Sequence, residues 1–316
     1  MDVLTNPVIL FFIFGIGAGL LKSNLEVPQQ IAKFLSLYLL MAIGLKGGFA
    51  LNASGINADV LTLMLLAVGL AIAVPLISYR FLCRYLDGFN AAGVAATYGS
   101  ISAVTFVTAT QFLAGIGVEY SDYMAAAMAM MEAPAIVIAI FIANQLRQTH
   151  STGISTILRE SFTEGANLLL IASLIIGMTA GPAGASVMKP FTGDLFTGLL
   201  AFFLLDMGVQ VAKRIPYLKD KSPALLAYAI IAPVLHSLLA LGLCLLFGIG
   251  LGNTVLLMVL AASASYIAVP AALKESMPEA SPSVYLGLSL GVTFPFNVIV
   301  GIPLYYWLAS YFLTAL

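Results

Sequence analysis

Ten apolar stretches follow one another along this chain, and each is long enough to cross a hydrocarbon core of about 30 Å. They run at 6–21, 31–50, 59–82, 90–114, 123–146, 166–182, 192–212, 223–247, 252–273 and 283–312. In lipid every backbone polar group must find its partner within the protein, so runs of this length and character become helices. The expected fold class is therefore an all-α integral membrane protein with ten transmembrane helices. Composition agrees: 61% of the 316 residues are hydrophobic and 9% are charged, where a soluble domain carries about 25% charged residues. Pro7 to Leu21 lacks a basic start and a small-residue cleavage site, so it reads as the first span rather than a cleaved signal. The longest polar interval, Arg147 to Glu164, is a loop and not a domain. A net charge of −1 gives no reason to expect a nucleic-acid partner. Cys83 and Cys244 lack metal-ligand spacing and read as buried free thiols.

Lys and Arg divide unevenly between alternate loops. One side takes Lys22, Lys33, Arg80, Arg84, Arg147, Arg159, Lys213, Arg214, Lys219, Lys221 and Lys274, and the other only Lys46 and Lys189. The crowded side is expected to be cytoplasmic, which puts both termini outside.

The two halves repeat one another. Gly99-Ser100-Ile101-Ser102-Ala103-Val104-Thr105 matches Ala262-Ser263-Ala264-Ser265-Tyr266-Ile267-Ala268. Glu132-Ala133-Pro134 matches Thr293-Phe294-Pro295, and Gly44 and Lys46 match Gly208 and Gln210. Five spans per half is an odd number, so the second copy enters the membrane from the opposite side. This predicts a first repeat at 1–146, a cytoplasmic connecting loop at 147–165 and an inverted second repeat at 166–316. Inverted repeats with matching polar interruptions mark secondary transporters, whose sites lie near the midplane.

The interruptions carry the chemistry. A helix restarting in mid-membrane points free N–H groups and a partial positive charge at its surroundings, which suits an anion. Freed carbonyls, hydroxyls and a carboxylate suit a hard cation such as sodium. The plainer alternative is that Ser and Gly here only let helices pack closely. Glu132 and Asp206 lie inside spans, where a carboxylate is costly unless paired or liganded. Glu132 reads either as an ion ligand or as a protonated acid bonded near Pro134. Asp206 reads either as a transport residue or as a lock with Lys46 of the other repeat. His236 reads as a packing residue before a proton relay. Pro75, Pro134, Pro233, Pro270, Pro295 and Pro303 fall inside spans and each tends to kink or break its helix. Tyr305, Tyr306, Trp307 and Tyr311 suggest an interfacial anchor. Neither a phosphate-cradling loop, a Cys/His cluster nor a nucleophile elbow is visible, so the chain does not read as an enzyme.

Several motifs together resemble the cyanobacterial-type sodium-dependent bicarbonate transporters, the SbtA-like permeases. They are Ile43-Gly44-Leu45-Lys46-Gly47-Gly48, Tyr98-Gly99-Ser100-Ile101-Ser102 to Thr105, Met131-Glu132-Ala133-Pro134-Ala135, Ile231-Ala232-Pro233-Val234-Leu235-His236, Ala261-Ala262-Ser263-Ala264-Ser265 through Pro270, and Pro282-Ser283-Val284-Tyr285-Leu286-Gly287. The resemblance implies a gate of spans one, two, six and seven, and a core of spans three to five and eight to ten that slides as an elevator. It implies a homotrimer in the bacterial inner membrane and a PII-like regulatory protein as partner. It implies a substrate site of Tyr98, Gly99, Ser100, Ser102, Thr105, Ser263, Ser265 and Thr293, with sodium, and no transition metal, at Ser102, Glu132, Ser263 and Ser265. The chain departs from the family pattern at Tyr266, where an acid is expected, and at Thr293-Phe294, where the pattern has Gly-Thr. Glu132 replaces an Asp, and the long cytoplasmic insertion between the halves is missing. The expected function is sodium-coupled symport of bicarbonate. A sodium- or proton-coupled carrier of another small carboxylate, and a non-transporting membrane ligand sensor, are the alternatives.

Overall fold

The computed structural model describes residues 6–55, 57–147, 165–218 and 222–315. Arg159, Lys219 and Lys221 of the charge count, and the connecting loop between Arg147 and Gly165, lie outside the described residues. The described elements are helices, with no strand among them. In chain order they are α1 (Pro7–Leu20), α2 (Gln29–Ser54), α3 (Ala58–Leu82), α4 (Gly88–Gly99), α5 (Ala103–Gly115), α6 (Met124–Arg147), α7 (Gly165–Lys189), α8 (Leu195–Arg214), α9 (Pro223–Leu246), α10 (Leu251–Ala262) and α11 (Ala268–Ser276). The last, α12, joins Pro282–Leu288, Phe294–Phe296 and Ile302–Ala315 through π turns at Ser289–Thr293 and Asn297–Gly301.

Among the described residues, seven helical runs are long and apolar enough to cross a membrane, as in a multi-pass membrane protein. Gly88–Gly115 among them contains an interruption, and Leu168–Arg214 holds most of α7 and all of α8. Pro7–Leu20 and Leu251–Ala262 are apolar but shorter. The chain bends inside α7 rather than ending at 182: Gly181 takes φ +55°, a left-handed conformation open to glycine, and Pro182 follows it.

Two tight helix crossings organise one side of the molecule. α1 packs chiefly on α8, and α2 on α7. At the first, a Cβ on Gly15 would lie 2.2 Å from the Leu205 carbonyl oxygen, and one on Gly208 would lie 2.2 Å from that of Phe12. At the second, a Cβ on Gly48 would lie 2.1 Å from the Leu174 oxygen, and one on Gly177 would lie 2.5 Å from that of Leu45. Lipid tails are as apolar as leucine, so helix association in a membrane depends on such close backbone packing. Gly44 lies in the same crossing, where a Cβ would meet the Leu170 oxygen at 2.7 Å, so Gly44 and Gly48 together do for α2 what Gly208 does for α8.

On the other side α3 packs on α4 and α6, and α9 packs on α10. Arg147, at the end of α6, clamps the turn before α12. It donates to both Glu279 carboxylate oxygens at 2.7 and 2.6 Å and to the Ser276 carbonyl at 3.0 Å. The guanidinium holds the Glu279 carboxyl below the usual glutamate value of 4.5. A lowered carboxylate stabilises the fold fully above its ordinary value and loses that effect as pH falls through the lowered one. Glu279→Gln is therefore expected to melt below the wild type at pH 7, with the gap closing as pH drops below 4.5. Melting temperature against pH in detergent checks this.

Three sequence expectations change. Cys83 is exposed, and only Cys244 is buried; both are free thiols. Tyr305 is fully buried and donates to Asn297 Oδ1 at 2.7 Å, so it leaves the aromatic anchor. Trp307 and Tyr311 remain exposed and stacked, 5.9 Å between centroids. Lys46 and Asp206 form no pair. Lys46 lies over the Phe196 ring, 4.8 Å from its centroid, while Asp206 accepts from Gln210 at 3.4 Å beside a separate cavity of about 320 Å³ lined by Glu26 and Lys213. Lys46 meets α8 at Phe196, ten residues before Asp206 and so about 15 Å along the helix from it, a separation that sequence matching of the repeats does not reveal.

Candidate functional site

The helix of α4 stops at Gly99, and α5 begins at Ala103; α10 stops at Ala262, and α11 begins at Ala268. Ser100 and Ser263 both take extended backbone angles at the helix ends, with ψ of 178° and 164°. Serine favours such positions because its hydroxyl can replace a helical partner. Ser102 caps α5 by accepting from Thr105 N at 3.2 Å, and Ser265 accepts from Val269 N at 3.2 Å at the start of α11. Pro270 falls in the first turn of α11, where a missing N–H costs nothing.

The two breaks cross and satisfy one another. Ser265 N donates to the Thr97 carbonyl at 2.7 Å. In the matching direction Ser102 N donates to Ser263 Oγ at 3.0 Å, and that hydroxyl donates to the Leu260 carbonyl at 2.9 Å. Each restarting segment is thus tied to the last turn of the other broken helix, directly in one case and through a serine in the other. Asn297, in a π turn of α12, donates to the Ala262 carbonyl at 2.8 Å. These bonds answer the demand that backbone opened inside a membrane be paired within the protein.

A cavity of about 30 Å³ lies where the breaks meet α2 and α8. Ser36, Leu39 and Leu40 of α2 and Phe203 of α8 form one wall. Ser102, Val104 and Val107, Glu132 of α6, and Ser265 with Tyr266 form the other. Of the residues expected at the site, Ser102, Ser265, Glu132 and Tyr266 line this cavity. Ser100, Thr105, Ser263, Tyr98, Gly99, Thr293 and Phe294 stand behind them, buried. Gly99 faces the Pro75 ring, whose atoms a Cβ would meet at 2.6 Å, so its role is to let α3 approach. Tyr98 donates to Thr293 Oγ1 at 2.5 Å, and Thr293 donates to the Ala229 carbonyl at 2.7 Å, which joins α4, α9 and α12. Phe294 packs on Tyr266, 5.1 Å between centroids, and on Phe12 of α1 at 5.2 Å. Sequence reasoning missed Ser36 and Phe203; their only signal is a place on the faces of α2 and α8 turned to the breaks.

Hydrogen-bond direction separates the serines. Ser102 Oγ accepts from both Thr105 N and Thr105 Oγ1, at 3.2 and 2.9 Å. Both lone pairs are used, so what Ser102 offers the cavity is its O–H donor, which suits an anion. Ser265 Oγ accepts once and keeps a lone pair and a donor. Ser263 Oγ accepts once and donates once within the crossing, which spends its proton and leaves it one lone pair. Glu132, 6% exposed, is the carboxylate on the cavity wall. Among the described residues, the buried hydroxyls of Ser100 and Tyr266 make no hydrogen bond. His236 makes one long polar contact, Nε2 to Ser78 Oγ at 3.5 Å, and lies edge-on to the Tyr98 ring, while its Nδ1 has no partner among the described residues.

A multi-pass helical protein with two crossed helix breaks around a small cavity, largely apolar but with serine hydroxyls and a carboxylate on its wall, has the build of a membrane transporter. The family model described as the Na+-dependent bicarbonate transporter superfamily matches residues 7–310, and the chain belongs to that family. No curated protein matches the chain.

Proposed function

We propose that the chain carries bicarbonate into the cell by sodium-coupled symport, with the crossed breaks as its binding site. The cavity between the breaks and the α2–α8 wall carries this reading. It joins an O–H donor aimed at an anion, Ser102, to a carboxylate fit for a cation, Glu132. In the elevator form of the mechanism α1, α2, α7 and α8 are the fixed gate, and α3–α6 with α9–α12 are the sliding core. The exchange of partners, α1 with α8 and α2 with α7, is the pattern expected of ten spans in two inverted repeats. The reciprocal ties between the breaks support the same symmetry. Both termini then lie outside a bacterial inner membrane, and the Lys- and Arg-rich loops face the cytoplasm. A homotrimer and a PII-like regulatory partner complete the proposal by family resemblance. Sodium binds first and strengthens the anion site electrostatically.

The experiment is uptake of labelled bicarbonate into proteoliposomes with and without an inward sodium gradient. Stimulation by sodium is the expected result, and equal uptake in both conditions refutes the coupling. Leu39, Leu40, Val104, Val107 and Phe203 make the walls largely apolar. That favours, as a second reading, a small carboxylate with an apolar tail, which competition by such acids against bicarbonate would reveal. Binding without flux would identify a ligand sensor instead.

A further inference from the structure

A second cavity, of about 20 Å³, lies along the same α2–α5 seam as the first. Val107 lines both. On α2 the wall moves from Leu39 and Leu40 to Ile43 and Lys46, and on α5 from Ala103 and Val104 to Phe106 and Thr110. The two cavities are therefore stacked about one helical turn apart. The second lies toward the α5–α6 connection, which contributes Tyr120 and Asp122. By the charge count that is the outer face.

Lys46 is the cation at this mouth. Its ammonium sits over the Phe196 ring and has no salt bridge or hydrogen bond among the described residues. Asp122 lines the same cavity but forms no salt bridge with it. An ammonium carries three donors, and one held against apolar side chains without partners gains most from a charge-assisted bond to an anion. The repeat does not demand a cation here, because the matching residue of the second half is Gln210. That residue lies beside Asp206 and Glu26 at the opposite mouth. The opposite mouth does hold a cation, Lys213, but it is paired with the Glu26 carboxylate, so of these two it is the outer ammonium that has no carboxylate bound to it.

We propose that Lys46 is an anion-capture residue, forming an outer subsite where a small monovalent oxyanion or carboxylate is held before it moves one turn inward to Ser102. This rests on the transporter reading above. Capture shows as a change in the concentration needed for half-maximal uptake, while the sliding step sets the maximal rate. The test is labelled-bicarbonate uptake by wild type, Lys46→Gln, Lys46→Arg and Asp122→Asn proteoliposomes at low and high potassium chloride. At low salt Lys46→Gln is expected to raise KM about fivefold or more with little change in maximal rate, and Lys46→Arg to restore it. Asp122→Asn, which removes the competing carboxylate, lowers KM. The gap between Lys46→Gln and wild type narrows at high salt through screening. Wild-type uptake with an unchanged KM in Lys46→Gln overturns this inference alone. A lower maximal rate at unchanged KM also overturns it, because Lys46 then belongs to the sliding step. A wild type that takes up neither bicarbonate nor any small carboxylate overturns the transporter reading and this inference together.

Discussion

Glu132→Gln is expected to abolish sodium-stimulated uptake while leaving the protein folded. Glu132 is the carboxylate on the cavity wall, and it lies two residues before Pro134 in α6. Proline lacks the N–H that the carbonyl four residues earlier would receive, so the helix near Glu132 has an acceptor without its usual donor. A carboxylate that shares a cavity wall with serine hydroxyls offers the kind of oxygen set a hard cation needs. Losing a group that only orients a metal ligand costs about 10–100-fold in affinity, so loss of the charged ligand itself is expected to exceed that. Glutamine keeps the volume and removes the charge. A normal melting temperature with no sodium stimulation is the expected outcome, and sodium stimulation equal to wild type would remove Glu132 from the ion site. Ser102→Ala serves as the comparison. It removes one of the cavity's O–H donors together with the cap of α5, so uptake is expected to be lost and stability to fall by about 1 kcal/mol. Full uptake by Ser102→Ala would dismiss the donor argument.

Gly48→Leu is expected to prevent the α2–α7 crossing from forming. Even a single Cβ at Gly48 would sit 2.1 Å from the Leu174 oxygen, 2.7 Å from Met178 N and 2.8 Å from Gly177 Cα. These are backbone atoms of a helix and cannot rotate away as a side chain would. Overpacking a core costs about 1–3 kcal/mol, occasionally more. With rigid backbone on all sides, the upper end of that range, about 3 kcal/mol or beyond, is expected. In lipid no compensating hydrophobic force draws the helices together. The measurement is the yield of monodisperse protein in detergent and its melting temperature. Gly242→Leu, where nothing lies within 4 Å of an added Cβ, is the control that should behave as wild type. A Gly48→Leu protein as stable as that control would mean the crossing is looser than described.

Much of the architecture is legible in one dimension because hydrocarbon leaves the backbone few options. Apolar length alone places the helices, and the polar interruptions Ser100 to Ser102 and Ser263 to Ser265 mark where they break, since hydroxyls there replace lost helical partners. Glu132 stands out because a carboxylate among apolar residues requires a reason. Other features are illegible because they depend on which helices meet. Lys46 and Asp206 occupy nearby places in the aligned repeats, yet α2 and α8 turn these residues to different neighbours. Tyr305 and Trp307 are two residues apart in an aromatic cluster, and only the facing Asn297 decides that one is internal. The serines look interchangeable until hydrogen-bond direction distinguishes them.

By itself, then, the sequence determined that this chain lives in a membrane, that its helices break at two matched serine runs, and which family it resembles. Hydrophobic length and the need to pair buried backbone are local properties, and they are written residue by residue. Only the tertiary structure decided that the breaks cross and bond to one another. It also decided that Ser102 accepts twice while Ser263 ties the crossing with its proton, that Gly99 packs against Pro75, and that Lys46, one turn above the cavity, has no salt bridge among the described residues. Those outcomes depend on contacts between segments far apart in the chain, where orientation and distance, rather than residue type, set what each group can do.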